Sequence, residues 1–236
     1  MVSCKKEYSM VAAHGMRRFP ETTADGSTTF RVAAWDEPYH STHGAIRESR
    51  HVFIQMGLRQ SVQNPVRILE IGFGTGLNAL LSLMEARDGQ KEIFYTAIEA
   101  FPLSMEEVGQ LNYLEQLQAQ AYAEAFANMH SAPWETESPI SPFFVLKKLR
   151  CDILEFSSDA SYDLVYFDAF GANVQPELWT PDVFAGMYRA LNPQGILVTY
   201  AAKGSVRRAM LAAGFQVERL PGPPGKREML RALKPA

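Results

Sequence analysis

Short runs of apolar and β-branched residues alternate along the chain with longer segments of helical periodicity. The runs predict five buried strands at Val66–Ile71, Ile93–Glu99, Phe143–Leu149, Tyr162–Phe167 and Ile196–Tyr200. Strands that alternate with helices indicate a mostly parallel sheet with helices on both faces. Ligands of such sheets bind at the carboxyl ends of the strands, so functional side chains are expected there.

The segments between these strands are predicted as follows. Thr180-Pro181-Asp182 is typical of a helix start, with Thr as the N-cap and Pro at the first helical position. Three prolines between residues 131 and 142 predict a loop. Helical periodicity predicts helices at 77–86, 103–128, 181–191 and 205–213.

Both ends of the chain add elements to this pattern. Residues 22–41 predict a β-hairpin around the turn Asp25-Gly26, and 44–60 predict a helix. Near the other end, Phe215–Arg219 and Glu228–Ala232 predict a closing pair of strands, which brings the sheet to seven. We therefore predict an α/β fold in which an N-terminal hairpin and helix, residues 1–60, pack on a core domain, residues 61–236.

Composition indicates a well-packed globular protein, because 47% of the 236 residues are hydrophobic and 21% are charged. No apolar run approaches the roughly 20 residues that cross a bilayer, and MVSCKKEYSM lacks the apolar stretch of a signal peptide. Cys4 and Cys151 are isolated and form neither a disulfide framework nor a zinc site. We expect a cytoplasmic protein with no metal centre and no membrane association.

Charge is distributed unevenly along the chain. The net charge is −3, yet residues 203–236 hold eight basic and two acidic residues. A basic segment on an acidic body is suited to steering a polyanion towards one side of the molecule. A solvated surface of mixed charge is the alternative, and charge alone does not decide between the two interpretations.

The first predicted strand continues into a glycine-rich loop, EIGFGTG, from Glu70 to Gly76. A nicotinamide dinucleotide fingerprint requires a third glycine at position 77, which is Leu77. The GxGxG spacing with an acid before it resembles motif I of class I S-adenosylmethionine (SAM) methyltransferases. In that motif the loop wraps the methionine part of the cofactor and the acid lies near its ammonium. A generic strand-to-helix turn is the alternative interpretation.

Acidic residues follow three further strands. Glu99 ends the second strand, where a carboxylate is placed to accept hydrogen bonds from a ribose diol, as in other nucleotide-binding α/β folds. Asp152 follows the third strand and suits either the adenine amino group or the cap of a helical turn. Asp168 ends the fourth strand, and a catalytic carboxylate, a helix cap and a loop ion pair are all compatible with that position.

Several longer stretches resemble one family. DGSTTF, EPYHSTHGAIRESRHVFI, EIGFGTGLN, CDILEF, YFDAFGANVQPELW and GKREML are similar to the methyltransferase domain of the tRNA 5-methylaminomethyl-2-thiouridine biosynthesis bifunctional protein and its stand-alone relatives. The resemblance implies a Rossmann-like class I fold and SAM-dependent methylation of the aminomethyl group on wobble uridine. The bifunctional relatives add an oxidase, so the resemblance also implies a separate oxidase that supplies the aminomethyl group.

The resemblance also implies roles for individual residues. Asp168 is expected to hold the substrate amine and accept its proton, and Phe170 is expected to form a wall of the pocket. Tyr39 and Ser41 are expected near the substrate, and Lys226 and Arg227 are candidates for tRNA phosphates, with Glu228 pairing with one of them. The expected cofactor residues are Glu70, Gly72, Phe73, Gly74, Thr75, Gly76, Asn78, Glu99, Asp152 and Asp168.

One departure from the family bears on the substrate. The usual D-G-F-x-P after the fourth strand is replaced by Asp168-Ala169-Phe170-Gly171-Ala172, so this loop lacks the proline. Methyl or aminopropyl transfer to a small-molecule or protein amine therefore stays open beside tRNA methylation. A binding module that has lost its activity is a third possibility, against which Glu70, the three glycines, Glu99 and Asp168 argue.

Overall fold

A sheet of eight strands forms the centre of the α/β fold in the computed structural model, which describes residues 17–236 and the short strand Ser3–Cys4. The described strands are β1 Ser3–Cys4, β2 Arg18–Thr22, β3 Thr28–Val32, β4 Glu37–Pro38, β5 Val66–Ile71, β6 Ile93–Glu99, β7 Glu137–Ser141, β8 Phe144–Arg150, β9 Phe156–Ser157, β10 Tyr162–Phe167, β11 Leu191–Thr199, β12 Gln216–Pro221 and β13 Glu228–Leu233. The α-helices are α1 Ala45–Ser49, α2 Leu77–Gly89, α3 Met105–Val108, α4 Tyr113–Gln116, α5 Ala123–Ser131, α6 Pro181–Ala190 and α7 Gly204–Ala212.

The large sheet has the order β12-β13-β11-β10-β5-β6-β8-β7. Its five central strands, β11, β10, β5, β6 and β8, run parallel to one another. The edge strands β7, β13 and β12 pair antiparallel with their neighbours. The predicted mostly parallel sheet is therefore confirmed, with eight strands where the sequence pattern predicts seven.

The additional strand is β7, which lies in the segment predicted as a loop. Ser138 pairs with Leu146 and Pro139 with Val145 in an antiparallel ladder with β8. Proline removes a backbone donor and is therefore tolerated mainly at sheet edges. Because β7 forms the outer edge of this sheet, Pro139 marks an edge strand here and not a loop.

The continuous helix predicted over 103–128 is also wrong. The segment holds α3, α4, a 3-10 turn at Gln120–Tyr122 and α5. Ser104 and Glu107 form a capping box that starts α3, and Gly109 ends it. Gln118 has a positive φ of 52°, which a continuous right-handed helix does not allow. Helix-forming residues dominate the segment, but these local signals divide it.

Alternate residues of the central strands face two separate hydrophobic cores. Leu164 and Tyr166 of β10 belong to one core cluster, whereas Val165 and Phe167 belong to the other. The period of two residues is that of a strand buried on both faces. This double burial fixes the register, because a slip of one residue would exchange the two faces.

The N-terminal extension forms a small sheet and a helical segment. The predicted hairpin is present as β2 and β3, begins earlier at Arg18, and gains β4 as a third strand. The helix α1 continues as a π-helix over Arg50–Gln55, whose Phe53 ring lies 5.1 Å from that of Tyr166. The extension thus packs against the sheet. The division at residue 60 stays a prediction, and most of residues 1–16 lie outside the described part.

Two further observations concern the expectations from composition. Cys151, which follows β8, is disulfide-bonded in this structure, so its interpretation as an isolated cysteine is wrong. Within the described part of the chain, none of the helices has the length and apolarity needed to cross a bilayer.

Phe184 of α6 provides a test of the packing on the β10 face. Its side chain is fully buried, with ring centroids 5.1 Å from Phe167 and 6.3 Å from Trp179. We expect Phe184→Ala to lower the free energy of unfolding by about 3–5 kcal/mol in urea denaturation, since it leaves a cavity. Val62, 91% exposed, is the control, and Val62→Ala should change stability by less than about 0.5 kcal/mol. Equal effects of the two substitutions would contradict the packing described here.

Candidate active site

A cavity opens where the parallel strands β5, β6, β8 and β10 end. The loops that follow these strands supply its floor, and Trp35, Tyr39 and His40 of the N-terminal extension line it as well. Of the residues predicted for the cofactor, all but two line this cavity, namely Gly72, Phe73, Gly74, Thr75, Asn78, Glu99, Asp152 and Asp168. The residues that follow the predicted strands therefore lie around one cavity.

The loop between β5 and α2 owes its shape to glycine. Gly72 has a φ of 90°, and a Cβ at this position would lie 3.0 Å from the carbonyl oxygen of Asp168. Gly76, with a φ of 72°, provides the left-handed residue from which α2 begins. Side chains rarely adopt this backbone conformation, so the two glycines allow β5 to turn sharply beside the end of β10.

Glu99 holds the glycine loop against the end of β6. Its carboxylate accepts hydrogen bonds from the backbone N–H of Gly74, at 2.8 Å, and of Phe101, at 2.7 Å. Glu99 is largely buried and lines the cavity. Each carboxylate oxygen has two lone pairs, so these two bonds leave acceptor capacity for a ligand. The predicted contact with a ribose stays a prediction.

Asp152 caps the short 3-10 helix Ile153–Glu155. Its Oδ1 accepts a hydrogen bond from the backbone N–H of Leu154 at 2.9 Å. Capping was one of the two interpretations of this residue, and the structure shows this cap. Asp152 also lines the cavity, so the cap holds its acidic side chain at the carboxyl end of β8, the third predicted strand.

One amide connects two acids at the centre of the site. Asn78 Nδ2 donates to Asp168 Oδ2 at 2.8 Å and to Glu70 Oε1 at 3.0 Å. Asn78 Oδ1 is buried without a hydrogen-bond partner and so leaves an unsatisfied acceptor. Glu70 has no exposed surface and lies outside the residues that line the cavity. The acid of the glycine motif therefore reaches the cavity through Asn78 and not directly.

Burial raises the pKa of Asp168 to about 7, and the charge of Glu48 acts in the same direction. The bond from Asn78 and the charge of Lys226 oppose this shift. Burial also raises the pKa of Glu70, and Asp168 contributes to that rise. Burial thus favours the protonated form of both acids, and the bonds from Asn78 favour their ionised forms.

The charge of the cavity has one sign. Glu99, Asp152, Asp168 and Glu177 line it, and no lysine or arginine among the described residues does. Burial lowers the pKa of His40 to about 4, which makes its ring neutral at pH 7. The lining therefore suits a positively charged ligand and disfavours a phosphate.

Aromatic side chains cover the cavity beside Asp168. The ring of Phe170 meets Trp35 and Tyr39 in edge-to-face contacts, with centroids 5.2 and 5.0 Å apart. Trp179 is buried and donates from Nε1 to the carbonyl oxygen of Phe170 at 2.8 Å. Trp179 is thus a core residue whose bond fixes the loop that carries Phe170.

The remaining predicted residues lie next to the cavity. Ser41 N–H donates to Glu48 Oε2 at 2.9 Å. Lys226 pairs through Nζ with Glu48 Oε1, and its Nζ lies 4.0 Å from the centre of the Tyr200 ring. Lys226 is thus half-buried and paired with Glu48, and its predicted contact with a tRNA phosphate stays a prediction.

Glu228 does not pair with its neighbours as expected. It lies 3.8 Å from Arg219 on the adjacent strand, where the two side chains form an ion pair. Trp35, Glu37 and Tyr200 also lie near the site, and the sequence pattern did not predict them there. Tyr200 was within reach of the strand-end argument, since it ends the fifth predicted strand. Glu37 lies in a strand of only two residues, for which the sequence carries no periodic signal.

Comparison with known proteins gives consistent matches. Residues 113–235 match the model of a family described as S-adenosyl-L-methionine-dependent methyltransferase. The tRNA 5-methylaminomethyl-2-thiouridine biosynthesis bifunctional proteins MnmC of Cupriavidus necator and Ralstonia nicotianae are 34% and 31% identical over 83% and 92% of this chain. The chain spans only 31% and 34% of these relatives. The crystal structure of MNMC2 from Aquifex aeolicus covers 94% of this chain and 73% of its own, with a TM-score of 0.74 and 27% identity.

The proton affinity of Asp168 is directly testable. In ¹³C NMR of the labelled protein, we expect its carboxyl to titrate with a midpoint of about 7. Asn78→Ala removes the hydrogen bond that favours the ionised form, so the midpoint should rise. Asn128→Ala, at an exposed position of α5, is the matched control and should leave it unchanged. A midpoint near 4 in the unsubstituted protein would contradict the described environment.

Proposed function

The chain belongs to the family of S-adenosyl-L-methionine-dependent methyltransferases, and we propose that it methylates the aminomethyl group of a modified wobble uridine in tRNA. The observation that carries the proposal is Asp168, a carboxylate of near-neutral pKa at the carboxyl end of β10, where it lines the cavity. The MnmC relatives support the choice of substrate. We further propose that a separate oxidase supplies the aminomethyl group and that the reaction takes place in the cytoplasm.

The cavity fits SAM on chemical grounds. The cofactor carries a sulfonium and an ammonium, and the lining is acidic without a cation among the described residues. The unsatisfied Oδ1 of Asn78 suits an ammonium donor. We propose that the glycine loop and Asn78 hold the methionine part, Glu99 the ribose and Asp152 the adenine. When bound, SAM supplies an electrophilic methyl group.

Asp168 is proposed to deprotonate and hold the acceptor amine. An aliphatic ammonium has a pKa near that of lysine, about 10.4, and only the neutral amine attacks a methyl group. A carboxylate whose pKa is raised towards the working pH is a better proton acceptor than an ordinary aspartate. While still ionised, the carboxylate stabilises the positive charge that develops on the nitrogen of the attacking neutral amine, and it then accepts the proton that the methylated ammonium releases.

The surrounding residues contribute by positioning and by excluding water. Trp179 fixes the backbone at Phe170, and Phe170 contacts Trp35 and Tyr39 over the cavity. A rigid and apolar cover keeps the reacting groups aligned. Alignment of two reactants is worth roughly 7–11 kcal/mol of the activation barrier.

Asp168→Asn tests the proposed base while preserving the shape of the side chain. We expect kcat for methyl transfer to tRNA to fall by about 10²–10⁴-fold, because general base catalysis is lost. SAM binding, measured by calorimetry, should persist. Asp182→Asn, at an exposed position of α6, is the control and should leave both unchanged. Normal turnover in Asp168→Asn would refute the assignment.

The substrate itself is tested with methyl-labelled SAM. Total tRNA from cells that lack the gene is incubated with the protein, digested and separated into nucleosides. We expect label in the methylaminomethyl derivative of wobble uridine and in no other nucleoside. Binding of SAM without transfer to any tRNA nucleoside would instead favour a small-molecule or protein amine.

A further inference from the structure

Two further spaces lie beside the main cavity, and Asp168 lines one of them. The inner chamber has Asp168, Glu48 and Glu37 among its lining residues and a volume of about 70 Å³. The outer groove has a volume of about 460 Å³ and opens between the loop after β10 and the turn before β13. Glu37, Tyr200 and Lys226 line both spaces, so the groove adjoins the chamber that Asp168 lines.

Asp168 lies at the boundary between the two sides. It lines the main cavity, for which SAM is proposed, and also the inner chamber. A group bound in the chamber therefore contacts the carboxylate from one side, and a molecule bound in the main cavity contacts it from the other. This is the arrangement that a transfer between two bound molecules requires.

The inner chamber carries negative charge. Glu48 is almost fully buried, and its ion pair with Lys226 neutralises its charge. The Lys226 ammonium also lies over the Tyr200 ring. This leaves the carboxylates of Glu37 and Asp168 to face a ligand. A small ammonium group suits a chamber lined by these two carboxylates.

The outer groove has the opposite character. Gly171, Ala172 and Ala202 line it without bulky side chains, which leaves room for a flat ring. Lys203 and Arg227 lie exposed at its rim, and Lys203 Nζ is bonded to Asn173 Oδ1. Glu228, the acid beside them, is paired with Arg219. The rim therefore offers cations to an anionic group.

We propose that the groove and chamber bind the methyl acceptor as a single nucleotide, with its amine at Glu37 and Asp168 and its flanking phosphates at Lys203 and Arg227. Acids line the inner end of the site, small residues line its middle and cations lie at its rim. An aminoalkyl pyrimidine nucleotide presents an amine, a flat ring and phosphates in the same order. A polyamine would require acidic residues along the whole site. A small amine without an anionic group would gain nothing from the cationic rim. This inference rests on the proposed function and adds the place and orientation of its substrate.

The rim is tested with the double variant Lys203→Gln/Arg227→Gln. We expect KM for tRNA to rise at least tenfold and the dependence of log KM on log salt to become shallower, by about 0.7 for each lost phosphate contact. The KM for the free aminomethyluridine nucleoside, which has no phosphate, should stay unchanged. Arg208→Gln, an exposed cation of α7, is the matched control and should alter neither.

Glu37→Gln and Ala202→Phe test the inner end and the floor. Glu37→Gln should raise KM for the nucleoside and for tRNA alike, whereas Ala202→Phe should block both acceptors by filling the groove. Calorimetry with SAM establishes that each variant is folded, and its Kd should stay within about twofold of the unsubstituted value.

The outcomes separate this inference from the function on which it rests. If the unsubstituted protein methylates no tRNA, the proposed function fails. If it methylates tRNA but the double variant behaves like Arg208→Gln, tRNA binds elsewhere and the groove assignment is wrong. If Ala202→Phe retains full activity towards the nucleoside, the groove is not the path to Asp168.

Discussion

The side-chain amide of Asn78 is the interaction on which the site depends, because it joins two acids from the ends of neighbouring strands. The carboxylate of Glu70 is buried beneath the glycine loop, and the carboxylate of Asp168 lines the cavity. Without the shared donor, two carboxylates so close together and so poorly hydrated would repel each other. Burial and the charge of Glu48 raise the pKa of Asp168, whereas the bond from Asn78 acts against this rise and favours the ionised carboxylate.

The backbone around this pair is as constrained as the side chains. Asp168 N–H donates to the carbonyl oxygen of Ile71 at 3.1 Å, directly before Gly72 makes its close approach to Asp168. The end of β5 and the end of β10 therefore hold each other in place. The consequence is a rigid floor, on which the glycine loop, Asn78 and the aromatic cover are built.

The central sheet and the main cavity were predictable because both follow from local patterns. Runs of apolar and β-branched residues locate β5, β6 and β10, and parallel strands bring their carboxyl ends to one edge by geometry alone. Glu99 and Asp168 were found by this argument. The role of Glu70 was less accessible, since the sequence places the acid at the glycine loop but does not reveal that Asn78 stands between it and the cavity.

The features that escaped prediction depend on contacts between distant parts of the chain. Pro139 indicates a loop until the neighbouring β8 is known to offer it an edge, and Lys226 looks like a surface cation until Glu48 is placed beside it. Propensity and periodicity describe only the near neighbours of a residue. Ion pairs and edge strands of this kind are set by the topology as a whole, and so they emerge only with the structure.

The ion pair between Glu48 and Lys226 can form only after both residues have been synthesised. The two residues are 178 positions apart, and a ribosome adds about 5–20 residues per second. Glu48 is therefore made roughly 10–35 s before its partner, at those rates. During that interval the acid remains hydrated and the inner chamber has no closed wall. The acceptor side of the site can therefore close only late in synthesis, when residue 226 and the strand β13 that follows it have been made.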